Sequence, residues 1–189
     1  HIKSMGDGTW TSQLHKLVCE TFEKCTISLA VDGPYGSPFD VQDYKCVVLV
    51  AGGIGVTPCA SIFSNLKQNQ SVSSTLLWTL READLALQFS AHLTSKPVKA
   101  AINSSVSEQE AIHLSKIFLT RSSCAPEMNG VDVVTSRPKL EDELSMATAG
   151  FDADDILVFV CGPEAMVNDC FNIAVARKCH FHSETFLLQ

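Results

Sequence analysis

Long apolar stretches are missing from this chain of 189 residues. None approaches the about 20 consecutive apolar residues that a membrane-crossing helix needs. Positive charge is scarce: 14 Lys and Arg stand against 21 Asp and Glu, leaving a net charge of -7. No basic patch offsets that balance, which argues against a nucleic-acid partner. The eight cysteines are scattered, with no C-x-x-C pair and no zinc-type spacing. Neither a structural zinc site nor a disulfide scaffold is therefore expected, and a reducing, cytosolic setting fits better. The histidines also lack metal spacing; His180 and His182 alternate on one strand and read as non-ligands. No secretory leader is visible, and the opening His1-Ile2-Lys3 reads as a cut inside a longer protein. Internal repeats and low-complexity tracts are absent too.

What is there begins with Val47 to Pro58, VVLVAGGIGVTP. A strand-like apolar run ends in Gly52-Gly53-Ile54-Gly55 and passes through Val56-Thr57-Pro58 into a helical stretch. A buried strand, a glycine turn and a helix start are the parts that hold a pyrophosphate. Glycines let backbone approach phosphate oxygens, and first-turn N–H groups with the helix dipole favour the anion. Pro58 suits the first helical turn, where a missing N–H costs little. The pattern is G-x-G-x-x-P, short of the full dinucleotide fingerprint, so a plain glycine turn is the competing reading.

Further runs place this turn in a fold. Ile27–Val31 alternates as a strand and enters the turn Asp32-Gly33-Pro34-Tyr35-Gly36. Thr75–Leu80, His113–Thr120, Ile156–Val160 and Phe181–Leu188 read as strands, and Val131–Thr135 as a short extended piece. Helices are expected at Ser61–Lys67, Asp84–His92, Pro138–Met146 and Glu164–Lys178. The opening, His1–Leu14, reads as a strand end followed by a loop. Alternating strands and helices imply a parallel sheet, and unbroken apolar runs fit strands buried on both faces.

The polar residues that stand out follow strand ends, where open α/β sheets bind ligands. Arg81 follows Trp78-Thr79-Leu80. A guanidinium there suits the 2′-phosphate that separates NADP from NAD, and a solvated surface charge is the alternative. Arg137, in Ser136-Arg137-Pro138, is open to the same two readings. Cys161-Gly162-Pro163 ends the last buried strand, where backbone must come close to something flat. Cys161 can equally be a small packed residue, and Trp10 and Trp78 read as packing.

Taken in order, DGPYG, AGGIGVTP, strand-Arg, Arg-Pro, CGPE and a C-terminal aromatic resemble the NADPH-binding lobe of ferredoxin-reductase-like flavoproteins. GIGVTPCASIF, WTLRE, SRP, VFVCGPEAM and the ending FHSETF look more closely like the dehydrogenase region of NADPH oxidases, with ferric-chelate reductases as near relatives. The resemblance covers nearly the whole chain, strongest at Asp32–Ile62 and Val158–Met166 and weakest over Ser95–Asn129.

It implies a five-stranded parallel α/β sheet with helices on both faces, a Rossmann-like NADP-binding domain over residues 41–189. Residues 1–40 would be a remnant of a flavin-binding β-barrel and a linker. By resemblance, Gly52, Gly53, Gly55, Thr57 and Pro58 would cradle the NADPH phosphates. Arg81 and Arg137 would hold the 2′-phosphate, and Cys161, Gly162 and Pro163 would line the nicotinamide, with Glu164 at the adjoining helix start. Phe186 would cover the flavin ring and move aside for nicotinamide. Leu187, Leu188 and Gln189 follow it, unlike the common oxidase ending, which leans toward the reductases.

The implied activity is hydride transfer from NADPH to FAD, then single electrons through haems to oxygen to give superoxide. FAD would be held mainly by a barrel domain outside this chain, and haem by a membrane domain. Those domains of the same parent protein are the expected partners, with cytosolic regulatory proteins besides. The chain would sit on the cytosolic side of a membrane protein, bind NADPH weakly by itself and catalyse nothing alone. The alternatives are a ferric-chelate reductase of the same superfamily and a non-enzymatic docking module.

Overall fold

The computed structural model describes residues 6–20, 28, 30, 40–41, 43–68, 71–93 and 111–184. It falls into two compact units, residues 1–39 and 40–189.

In the first unit the described element is helix α1, Trp10–Glu20. A strand end and loop were expected there. Thr9 explains the helix: its hydroxyl accepts from the Ser12 N–H at 3.2 Å, and its carbonyl from the Gln13 N–H at 3.1 Å. That is an N-cap. Two glycines at positive φ, Gly6 and Gly8, break the backbone ahead of it. The Ile27–Val31 strand and the Asp32–Gly36 turn lie largely or wholly outside the described residues.

The second unit is built on β1 (Cys46–Gly52), β2 (Ser73–Leu80), β3 (His113–Leu119), β4 (Asp132–Val134), β5 (Ile156–Cys161) and β6 (His180–Glu184). All pairings are parallel, in the order β4-β3-β2-β1-β5-β6. Among the described residues the sheet therefore has six strands rather than the expected five. The addition is β4, which the sequence presents only as a short extended piece. It is an edge strand of three residues, none of them fully buried, too short for an apolar run to mark it. Of the expected Phe181–Leu188 strand, the described part ends at Glu184.

Between strands run α2 (Val56–Leu66), α3 (Asp84–Gln88), α4 (Ser90–Leu93), α5 (Leu140–Ala147) and α6 (Glu164–Arg177). The expected single helix over Asp84–His92 is two. At the break Phe89 takes φ -92 and ψ 0, and its buried ring meets Trp78 edge-on at 5.5 Å. The left-handed Lys178 (φ 60) ends α6.

Side-chain alternation splits the core in two. Val47, Leu49, Ala51, Leu76, Trp78, Ile117, Leu157 and Phe159 pack with Val56, Cys59, Phe63 and Leu66 of α2 and with Ala86 and Leu93. Val48, Val50, Leu77, Phe118, Val158 and Val160 pack on the opposite face with Leu144 of α5 and Cys170 and Ala174 of α6. Helices thus cover both faces, which is why β1 and β5 read as unbroken apolar runs. Lys116 pins the far edge: its ammonium lies 2.8 Å from Glu143 on α5 and 3.8 Å from Asp132 on β4. The His180 ring meets Tyr44 edge-on at 5.2 Å, and the His182 ring stacks on Phe159 at 5.4 Å.

Candidate nucleotide site at the sheet's switch point

From β1 the chain winds outward through β2, β3 and β4, then returns to the other side of β1 as β5. The carboxyl ends of β1 and β5 therefore flank the topological switch point, where open α/β sheets form their ligand crevice. The turn after β1 is Gly52 to Gly55, and the turn after β5 is Gly162-Pro163. The two segments singled out in the sequence are thus neighbours in space.

They touch closely. A Cβ on Gly52 would lie 2.5 Å from Pro163 Cδ and 3.2 Å from Gly162 Cα. A Cβ on Gly55 would collide with the Cys161 carbonyl. These two glycines are demanded by the neighbouring strand exit. Gly53 differs: its φ is +56, and, its chain neighbours aside, no atom of the described residues lies within 4 Å of where a Cβ would stand. Its side faces open space, so of the three it is the one shaped for a ligand.

The turn continues as a single 3₁₀ turn, Gly53–Gly55, into α2. No side chain caps that helix start. Thr57 donates its hydroxyl to the Ile54 carbonyl at 3.2 Å, which fixes its oxygen beside the turn. Pro58 occupies the first turn of α2, as its missing N–H allows.

Cys161 is 1% exposed at the end of β5, in register with Ala51 and Glu184. Burial, and secondarily the Glu184 carboxylate, push its thiol from 9.0 up to about 11. At neutral pH it is an uncharged, hydrophobic group that shapes the turn, with no thiolate available for attack. Glu164 is exposed at the first position of α6, where a carboxylate suits the helix dipole. Phe186 lies outside the described residues.

Arg81 is exposed directly after β2, and Arg137 is exposed three residues after β4. The sequence reading missed the residue between them. Arg121 follows β3, and its backbone N–H donates to the Arg81 carbonyl at 3.1 Å. Adjacent strands β2, β3 and β4 thus each exit into an exposed arginine at the same edge of the sheet. Parallel strands lie about 4.8 Å apart, so the three chain exits fit within about 10 Å of sheet. Among the described residues none of the three is in an ion pair. The signal for Arg121 was its place: it follows the end of β3 by two residues, as Arg81 follows the end of β2 by one.

Trp78 was read as packing, and it is fully buried. Its indole N–H also donates to the Gly53 carbonyl at 2.8 Å. Met166 packs against both turns, its sulfur 3.0 to 3.3 Å from where side chains on Gly162 and Gly52 would stand. Among the described residues no group of three or more His, Cys, Asp or Glu is placed to hold a metal ion. None of the described helices is long and apolar enough to cross a membrane.

The chain is similar to known proteins along most of its length. The chain is 30% identical to NADPH oxidase 3 of Rattus norvegicus over 98% of its own length and 36% of that protein's. It is 27% identical to respiratory burst oxidase homolog protein B of Solanum tuberosum, over 98% of this chain and 28% of the relative. It is 29% identical to the mitochondrial ferric reduction oxidase 3 of Arabidopsis thaliana, over 75% and 20%. The chain therefore spans about a third or less of these relatives. Among solved structures, the Malassezia yamatoensis flavohemoglobin with bound FAD and heme is similar, with a TM-score of 0.56, 17% identity, and 98% of this chain on 42% of that one. At that identity the likeness is one of fold. The family model described as the ferric reductase NAD binding domain matches residues 44–175, and the chain belongs to that family.

Proposed function

We propose that this chain is the NADPH-binding lobe of a membrane-linked, flavin-dependent oxidoreductase of the NADPH oxidase type. The observation that carries the reading is the switch-point crevice. Gly53, with open space on its Cβ side, sits at one end, and three exposed arginines, in no ion pair among the described residues, follow the neighbouring strands. A pyrophosphate fits the space beside Gly53, at the uncapped start of α2, and Thr57 lies on the same turn. A 2′-phosphate fits guanidinium groups, which bind its oxygens bidentately.

In this reading Gly53, Gly55 and Thr57 hold the pyrophosphate, and Arg81, Arg121 and Arg137 select the phosphorylated ribose. Cys161, Gly162 and Pro163 support the nicotinamide, the buried, neutral Cys161 thiol shaping the turn beneath it. When bound, NADPH would supply a hydride to a flavin held by a domain of the same parent protein. This chain's contribution is positioning and electrostatics. Haems in a membrane domain would carry the electrons to oxygen, with superoxide as product, and the lobe would face the cytosol, open to regulatory proteins there.

The identity to an NADPH oxidase over 98% of this chain favours oxygen as acceptor. Ferric iron is the second reading, favoured by the 29% identity to a ferric reduction oxidase. The test uses the parent protein in membrane vesicles supplied with NADPH. Superoxide formation, read as dismutase-sensitive cytochrome c reduction, supports the first reading. Ferric-chelate reduction without superoxide replaces it with the second.

A further inference from the structure

Trp78 is one of two tryptophans in the chain and the largest of its fully buried side chains. It stands on β2 in register with Ala51, one residue before the glycine turn. An indole N–H can only donate, and buried without a partner it would be costly. Its partner here is the carbonyl of Gly53, at 2.8 Å. The same carbonyl accepts from the Val56 N–H at the start of α2. Gly53 is the left-handed residue, with open space among the described residues where a Cβ would stand.

The consequence follows from peptide planarity. In a trans peptide the carbonyl and the next residue's N–H point in opposite directions. The Gly53 carbonyl is drawn toward the buried Trp78, so the Ile54 N–H is turned the opposite way. We propose that Trp78 is a positioning residue of the nucleotide site, whose indole N–H holds the Gly53–Ile54 peptide in the orientation that presents the Ile54 N–H to a pyrophosphate. The inference rests on the nucleotide-site reading given above. Nothing in the pattern G-x-G-x-x-P reveals it, because the controlling side chain is on the next strand.

The test substitutes Trp78→Phe, which keeps a buried ring facing Phe89 and deletes the donor. Losing a hydrogen bond of ordinary strength weakens pyrophosphate binding about five- to tenfold. NADPH and NADH should weaken by the same factor, because both carry the pyrophosphate, and their ratio should stay unchanged. Binding of 2′-AMP, which has no pyrophosphate, should not change. Unaltered NADPH binding by Trp78→Phe would overturn the proposal. So would loss of 2′-AMP binding in parallel with NADPH, which marks a general loosening of the fold. A second measurement needs no variant. In the unaltered chain the Trp78 indole N–H resonance should move on adding NADPH or NADH and stay put with 2′-AMP. A resonance that ignores both dinucleotides while they bind overturns the positioning role and leaves the site standing. Absence of any dinucleotide binding overturns the site itself and this role with it.

Discussion

Gly55 lies directly against the carbonyl of Cys161, with no room between them for a side chain. That contact joins the turn after β1 to the turn after β5 and makes one crevice of two sequence motifs. It also separates the glycines by task. Gly55→Ala forces a methyl into backbone and should destabilise the fold by about 1–3 kcal/mol, the usual cost of overpacking. Gly53→Ala, its chain neighbours aside, meets no atom of the described residues and carries only the left-handed penalty of about 1–2 kcal/mol. Its methyl, however, stands where the phosphate is expected. Urea denaturation and NADPH titration of both variants separate the two effects. Gly53→Ala should lose the larger part of its nucleotide affinity, and Gly55→Ala the larger part of its stability.

Arg81 is expected to distinguish NADPH from NADH. Arg81→Ala should narrow that preference by about 1.5–3 kcal/mol, the scale of a hydrogen bond to a charged group. NADH affinity should hold constant. An unchanged preference would hand the 2′-phosphate to Arg121 or Arg137.

Arg121 should behave alike, though the sequence pattern did not single it out. Its backbone bond to Arg81 survives truncation of the side chain, so Arg121→Ala should leave the melting temperature within about a degree or two of the original, as an exposed substitution does. Weaker 2′-AMP binding is the expected result. Full retention of 2′-AMP affinity would confine the phosphate site to Arg81 and Arg137.

The Cys161 thiol gives a pH signature. Its folded value, about 11, lies above the ordinary 9.0, so the fold favours the protonated form. That contribution is fully present below pH 9 and is lost as pH rises through 11. A shift of this size corresponds to about 2–3 kcal/mol. Cys161→Ala should therefore lose less stability than the original chain between pH 9 and pH 10.5, compared by urea midpoint. Parallel declines in the two proteins would contradict this.

Much of the fold was legible because β1 and β5 are buried on both faces. Val47–Val50 and Ile156–Val160 can hardly be anything but central parallel strands. β4 escaped because Asp132, Val133 and Val134 are only partly covered at an edge. Helix α1 escaped because its one signal, Thr9 at the N-cap, sits amid glycines that read as loop. In the site, Arg81 and Arg137 stood out beside recognisable neighbours. Arg121 needed the strand order, since only pairing of β3 with β2 brings its backbone to Arg81. Trp78 needed coordinates outright: a buried indole looks the same in sequence whether it packs or also donates to Gly53. The division of labour among glycines was equally hidden, because it depends on what the β5 exit places against each one.

The most direct test of the account is a calorimetric titration of this chain with NADPH and, separately, with NADH. The account predicts saturable binding of both, with NADPH at least about tenfold tighter, a difference of about 1.4 kcal/mol. Equal affinity for the two would leave the three arginines without their role. Binding of neither would contradict the nucleotide site at the switch point altogether.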